Sequence, residues 1–207
     1  DRLEDNNIFP DIFKRSLSKI NPDITEDEVQ RLLTDVSLKL NYDDLGREFF
    51  RMLMNTSGTR LIDFENFNNN EFHVTTELTC KKGDEEFRPD ITVLINGMPL
   101  VFIEVKKPNN REGVIAERNR INRRFALKDF KAFTNITQLM LFSNNMEYED
   151  GVVEPIMGAY YATPSKDGVM FNYFREEELL NYTHLLKPQN EELENLVLKD
   201  NNIVAIK

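Results

Sequence analysis

Residues 88–107 read Arg88-Pro89-Asp90-Ile91-Thr92-Val93-Leu94-Ile95-Asn96-Gly97-Met98-Pro99-Leu100-Val101-Phe102-Ile103-Glu104-Val105-Lys106-Lys107. Two apolar runs, ITVLI and LVFI, flank an Asn-Gly pair. Short runs of β-branched and bulky apolar residues suit buried strands, and Asn-Gly accepts the positive φ angles of a tight hairpin. The spacing predicts antiparallel strands over Arg88–Ile95 and Leu100–Lys106, with Met98 and Pro99 making the connection longer than two residues. Charged side chains interrupt this apolar pattern. Asp90 opens the first strand, and Glu104 and Lys106 lie two apart on the second. A period of two puts Glu104 and Lys106 on one face, with α-carbons ~6.6 Å apart, and turns Val105 to the opposite face, toward the expected core. Charges in buried strands are costly unless they are paired or bind a metal.

Working outward, the pattern upstream is helical. Ile8–Ile20 alternates as a short amphipathic helix. Thr25 and Glu28 form a capping signature, and the helix after it would bury Val29, Leu32, Leu33, Val36 and Leu40. A third helix is expected over Asp44–Met54, with Leu45, Phe49, Met52 and Leu53 on one side. The period then switches. Arg60–Phe64 and Phe72–Cys80 read as strands around the Asn-rich loop Asn66–Asn70. Downstream, Lys107-Pro108-Asn109-Asn110 breaks the strand, and a long helix is predicted over Gly113–Phe133, followed by a strand over Ile136–Ser143. A helix between two strands is the crossover expected of parallel neighbours. The fold class is therefore α/β (or α+β), with a mixed central sheet flanked by helices. The expected organisation is a helical part (1–58), a catalytic core (59–145) and a C-terminal extension (146–207). In the extension, Val152–Ala162 and Met170–Phe174 read as strands, Glu176–Asn181 as a helical turn and Gln189–Lys199 as a terminal helix.

Composition limits the chemistry. One cysteine, Cys80, excludes an internal disulfide framework and a multi-cysteine zinc site. Two histidines, His73 and His184, argue against a His-rich metal site. No run approaches the ~18 to 20 apolar residues of a membrane span. No secretory signal is visible at the start, and a reducing, cytoplasmic setting is expected. The chain starts at Asp1 rather than Met, as expected of numbering that begins inside a longer gene product or after trimming. There is no G-x-x-x-x-G-K-[ST] phosphate loop, so ATP is not expected to bind to these 207 residues by that device.

The net charge of −10 argues at first against a polyanionic partner. Its distribution reverses this. Val105–Lys131 carries nine basic residues (Lys106, Lys107, Arg111, Arg118, Arg120, Arg123, Arg124, Lys128, Lys131) against Glu112, Glu117 and Asp129, a net +6 that leaves −16 for the remainder. Screening confines each charge to ~8 to 10 Å, so a local basic field can bind phosphates within an acidic molecule. The alternative for such a run is a solvated helix face.

Asp90 and Glu104, with the Val105 carbonyl, form a plausible oxygen ligand set for Mg2+, which keeps several waters and accepts phosphate oxygens. Lys106 would then orient an attacking water or stabilise a charged transition state. The competing reading makes Asp90 a strand terminator and Glu104–Lys106 an exposed ion pair. Glu77 could reach the same site from a neighbouring strand. His73 reads as structural, Cys80 as a small buried residue, and Phe125, Phe130 and Phe133 as core.

Pro89-Asp90…Glu104-Val105-Lys106 resembles the PD-(D/E)XK nuclease core. More narrowly, residues 45–145 resemble the N-terminal nuclease domain of type I restriction enzyme R subunits. The resemblance is carried by Arg47-Glu48-Phe49-Phe50-Arg51-Met52-Leu53, Arg60-Leu61-Ile62-Asp63-Phe64, Arg88-Pro89-Asp90-Ile91, Asn96-Gly97-Met98-Pro99-Leu100 and Ile103-Glu104-Val105-Lys106-Lys107-Pro108. It implies Mg2+-dependent cleavage of double-stranded DNA, with Mn2+ as a substitute. It assigns Asp90 and Glu104 as metal ligands and Lys106 as the catalytic lysine. It further implies a following ATP-driven motor, and methyltransferase and specificity subunits as partners, with the recognition sequence read elsewhere. Many members carry Gln-x-x-x-Tyr in the helix after the lysine. Here that helix reads Asn119-Arg120-Ile121-Asn122-Arg123-Arg124-Phe125-Ala126, where Asn119 or Asn122 could replace the glutamine and Phe125 the tyrosine ring. Lys107, Arg118, Arg120, Arg123 and Arg124 are the expected phosphate contacts, and Glu48 resembles an acidic residue that some members bring near the metal. Two other functions fit the same residues: a standalone repair or phage-type nuclease, and a non-catalytic docking module.

Overall fold

Proline at the first turn of a helix gives up an N–H that would have no partner there, and Pro10 begins α1 (Pro10–Ile20) in this way. The computed structural model describes residues 2–44, 46–82, 85–107, 116, 120, 123–124, 127–143, 159–164 and 171–175. Helix α1 buries Phe13, Ser16, Leu17 and Ile20 along one stripe. Helix α2 (Glu26–Lys39) starts at the expected capping box: Glu28 N–H donates to the Thr25 hydroxyl, and Thr25 N–H donates to the Glu28 carboxylate at 2.8 Å. It buries Val29, Leu33 and Val36. Helix α3 (Arg47–Leu53) follows Gly46, at φ 82°, and buries Phe49, Phe50 and Leu53. The Asp44 carboxylate accepts from the Gly46 and Glu48 N–H groups and so closes the helix start.

The strands are β1 (Phe72–Thr76), β2 (Cys80–Lys82), β3 (Glu85–Phe87), β4 (Ile91–Ile95), β5 (Met98–Val105), β6 (Leu139–Ser143), β7 (Ala159–Pro164) and β8 (Phe171–Arg175). Six of them form one sheet in the order β1-β4-β5-β6-β7-β8, while β2 and β3 pair as a separate ribbon. The β5–β6 pair is parallel, and β1–β4, β4–β5, β6–β7 and β7–β8 are antiparallel. The sheet is mixed and lies among helices, as expected. Helices α1 to α3 press Phe13, Leu17, Leu33, Val36, Phe49 and Leu53 onto one face, around Ile95, Val101 and Leu139. The other face buries Leu94, Phe102 and Met140, and Phe133 of α4 (Lys131–Ile136) packs on Phe102 with ring centroids 5.5 Å apart.

Several elements differ from the expected ones. The β4–β5 connection is two residues, not longer: Asn96 (φ 51°) and Gly97 (φ 78°) make the turn, and Met98 and Pro99 already pair with Ile95 and Leu94. Pro99 is tolerated because its strand meets β6 only from Val101 onward. Arg60–Phe64 is not a strand. Side-chain amides take the place of a neighbouring backbone there: Asn21 pairs with both backbone groups of Arg60, Asn70 with both of Asp63, and Asn96 Nδ2 donates to the Leu61 carbonyl. The buried Asp63 carboxylate accepts from Glu65 N–H, Asn66 N–H and Asn69 Nδ2, and this hydrogen bonding holds it below the ordinary carboxylate range despite desolvation.

The expected strand Phe72–Cys80 is two strands, because Glu77 takes φ 51° between them. The predicted helix Gly113–Phe133 is not continuous: Leu127 is extended (φ −86°, ψ 127°), and a 3-10 turn over Lys128–Phe130 leads into α4. That helix runs on through Ile136, so β6 begins at Leu139 rather than at Ile136. Glu176–Asn181 and Gln189–Lys199 lie outside the described residues. Among the described residues, no helix is long and apolar enough to cross a membrane.

Candidate metal-binding site

The register of β4 on β5 builds the site. Ile91 pairs with Ile103, so Asp90 and Glu104, one step further, stand opposite each other on the same face. Directly opposed antiparallel residues bring their β-carbons within ~4.5 to 5.5 Å. The Val105 N–H donates to Asp90 Oδ2 at 2.8 Å, and the Asp90 carbonyl accepts from the Glu77 N–H at 3.1 Å. The backbone therefore fixes Asp90 on both sides.

Glu104 is 3% exposed, which excludes the exposed ion pair considered from spacing. Lys106 Nζ donates to Glu104 Oε2 at 3.2 Å. Burial pushes the Glu104 carboxyl above its ordinary range. The Lys106 charge opposes the shift, and the nearby Asp90 charge adds to it. Among the described residues, the buried Glu104 and the part-buried Asp90 thus share this corner with one lysine. A bound proton or cation would balance the remaining negative charge of these three groups. A hard divalent ion suits this donor set, because it takes carboxylate oxygens and completes its shell with water, carbonyl or phosphate oxygens. Among the described residues no group of three His, Cys, Asp or Glu side chains could hold a metal, so these residues offer an ion here two carboxylates, with non-carboxylate oxygens to complete its shell.

The Val105 side chain does face away from Glu104, yet it is 44% exposed rather than in the core. Helices α1 to α3 cover that sheet face around Ile95, Val101 and Leu139, and burial fades through Ile103 and Leu141 toward the strand end. Of the remaining candidates, Lys107, Arg120 and Arg123 are exposed, and Arg124 is half-buried near Cys80. Arg118, Asn119, Asn122 and Phe125 lie outside the described residues. The Glu48 side chain pairs with Arg51 and Lys39, and the Glu77 side chain lies 3.8 Å from Arg88. The structure thus brings Asp90, Glu104 and Lys106 together and directs the Glu48 and Glu77 carboxylates to other cations. Spacing alone missed Thr92, which shares the face of Asp90 at 3% exposure. The period of two along β4 was the available signal.

His73 lies in β1, with Nδ1 buried and without a partner. Cys80 is 5% exposed, and burial raises its thiol pKa to about 12. Thiolate is the reactive form. Native protein at pH 8 is therefore expected to resist thiol labelling until it unfolds, as followed by mass after alkylation with and without denaturant. Rapid labelling of the native chain would contradict the burial.

A family model described as type I restriction enzyme R protein N terminus matches residues 1–149. The MjaIXP type I restriction enzyme endonuclease subunit of Methanocaldococcus jannaschii is 28% identical over 163 residues, covering 70% of this chain and 15% of the relative. The HindI endonuclease subunit of Haemophilus influenzae is 24% identical over 165 residues, covering 70% of this chain and 15% of that protein. The SauMSSORF170P endonuclease subunit of Staphylococcus aureus strain MSSA476 is 29% identical over 148 residues, covering 71% of this chain and 14% of that protein. The chain thus spans about 15% of the length of these curated relatives.

Proposed function

Because this chain belongs to the family of type I restriction enzyme R protein N termini, we propose that it is the Mg2+-dependent endonuclease part of such an R subunit and hydrolyses phosphodiester bonds of double-stranded DNA on a PD-(D/E)XK core. The observation that carries this reading is the buried Glu104 carboxyl beside Asp90, with Lys106 as its close cation among the described residues. Asp90, Glu104 and the Val105 carbonyl would hold the ion, and Mn2+ would substitute for it. Bound there, it supplies a more acidic water and neutralises charge developing on the phosphate.

The residues of the chain do the rest. The Val105 N–H keeps Asp90 aimed at the shared corner. Lys106 exchanges its contact with Glu104 for the attacking water or the charged transition state, in a corner shielded from solvent where such a contact is strong. Lys107, Arg118, Arg120, Arg123 and Arg124 contact backbone phosphates and set the position of the duplex without reading its sequence. The partners are methyltransferase and specificity subunits and a following ATP-driven motor, in the cytoplasm.

The test is plasmid cleavage by the full complex with ATP, comparing Asp90→Ala, Glu104→Ala and Lys106→Ala. Each is expected to lower the rate by about 10² to 10³, and wild-type cleavage by all three would sink the assignment. The chain as a whole carries −10, so the isolated domain is expected to hold DNA weakly and to lose it as salt rises. Tight, salt-resistant binding in a mobility-shift titration would contradict this.

A further inference from the structure

Thr92 occupies a place that valine would fill equally well as packing. It is the polar residue of β4, whose sequence is ITVLI. It is 3% exposed, and its Oγ1 has no hydrogen-bond partner. Buried hydroxyls are normally satisfied, so an orphan in an apolar strand calls for a reason. Its neighbours on the sheet do not supply one. Thr92 pairs with Phe102 on β5 and Thr75 on β1, and the Thr75 hydroxyl is directed to the Thr76 carbonyl at 3.5 Å.

Its position is what singles it out. Strand alternation puts Thr92 on the face of Asp90, ~6.6 Å along the strand. The Thr92–Phe102 pair makes Glu104 its diagonal neighbour on β5, a separation of ~7 to 8 Å that one water or a rotated carboxylate can span. In the present structure the Glu104 carboxylate accepts from Lys106 Nζ at 3.2 Å, and Asp90 stands directly opposite it on β4. A cation shared by the two acids would take the place of Lys106 at the Glu104 carboxylate and leave that carboxylate to be oriented by its other neighbours.

We propose that Thr92 is a positioning residue for Glu104: its hydroxyl donates to the carboxylate, directly or through one ordered water, when a divalent cation is bound. This rests on the metal-site reading above and extends it to the residue that orients a ligand, as outer-shell partners do. The experiment is calorimetric titration of the full-length subunit with Mn2+ in the absence of nucleotide, for wild type, Thr92→Val, Thr92→Ser and Glu104→Gln. Thermal unfolding in EDTA is measured alongside. Thr92→Val is expected to unfold at or above the wild-type midpoint, because it removes an unsatisfied hydroxyl, and yet to bind Mn2+ about tenfold more weakly. Thr92→Ser is expected to restore affinity to within about twofold. Wild-type affinity in Thr92→Val would make Thr92 a packing residue and overturn the proposal, as would Thr92→Ser binding as weakly as Thr92→Val. If wild type shows no binding that Glu104→Gln removes, the metal-site reading fails and this proposal fails with it.

Discussion

Glu104→Gln is expected to reduce cleavage by the assembled enzyme about 10³-fold while raising the melting temperature of the metal-free protein by roughly 2 to 6 °C. The two effects have one cause. The Glu104 carboxyl is buried beside Asp90, and Lys106 compensates only part of the charge. Glutamine keeps the shape, can still accept from Lys106 and can donate to Asp90, so the repulsion goes while the packing stays. It cannot serve as an anionic ligand. The same argument sets a pH dependence. The folded protein holds the Glu104 proton more tightly than the unfolded chain does. This group's contribution to stability is therefore fully present below the ordinary value of 4.5 and is lost as pH rises through the raised folded value. Other acids, among them Asp63 and Glu71, are held below their ordinary range and push stability the opposite way. The readout is therefore the difference in melting temperature between Glu104→Gln and wild type, which is expected to widen from pH 4.5 upward. A constant difference would show that Glu104 is not strained in the folded state.

The second large effect is expected at Asn96, and it concerns stability alone. Asn96 is fully buried at the hairpin turn, with φ 51°. Its Oδ1 accepts from the Glu71 N–H at 2.8 Å, and its Nδ2 donates to the Leu61 carbonyl at 2.8 Å and to Asn70 Oδ1 at 2.9 Å. Alanine removes all three bonds and puts a Cβ residue without a compensating side chain in the left-handed region. Each buried group left unpaired costs about 1 to 3 kcal/mol, and the backbone conformation about 1 to 2 kcal/mol more. Asn96→Ala is expected to lose about 4 kcal/mol in urea unfolding, enough to unfold many domains of this size. Asn96→Gly separates the contributions, since it keeps the turn and loses only the side-chain bonds. It is expected to recover about 1 kcal/mol. A loss below about 1 kcal/mol for Asn96→Ala would mean that water reaches these groups.

Asn96 also shows what sequence reading reaches and what it does not. Asn-Gly between two apolar runs marked the hairpin, because the turn chemistry is local. The length of the connection was misjudged, because Pro99 reads as a strand breaker until one knows that β6 begins pairing only at Val101. The alternation that put Glu104 and Lys106 on one face is also local, and it held. That Asp90 sits opposite Glu104 depends on the register of two strands, which the short turn fixes. Arg60–Phe64 has strand composition but is held by Asn21, Asn70 and Asn96, contacts from distant segments that no window of sequence contains. The exposure of Val105 depends on where α1 to α3 end, and the interruption at Leu127 gave no Gly or Pro signal.

The turn at Gly97 has a consequence for the order of events during synthesis. The Phe9 N–H at the start of α1 donates to the Gly97 carbonyl at 2.9 Å, and a β-carbon on Gly97 would come within 2.7 Å of the Phe9 carbonyl and 2.8 Å of the Phe13 nitrogen. The first helix therefore seats directly on a hairpin made much later. Strand β1 also waits, since its partner is β4 rather than its sequence neighbour. At about 5 to 20 residues per second, roughly 4 to 18 s separate the two contact points on a ribosome. For that interval α2 is the partner already made for the apolar stripe of α1, and the part of α1 that seats on the hairpin stays open to a nascent-chain chaperone.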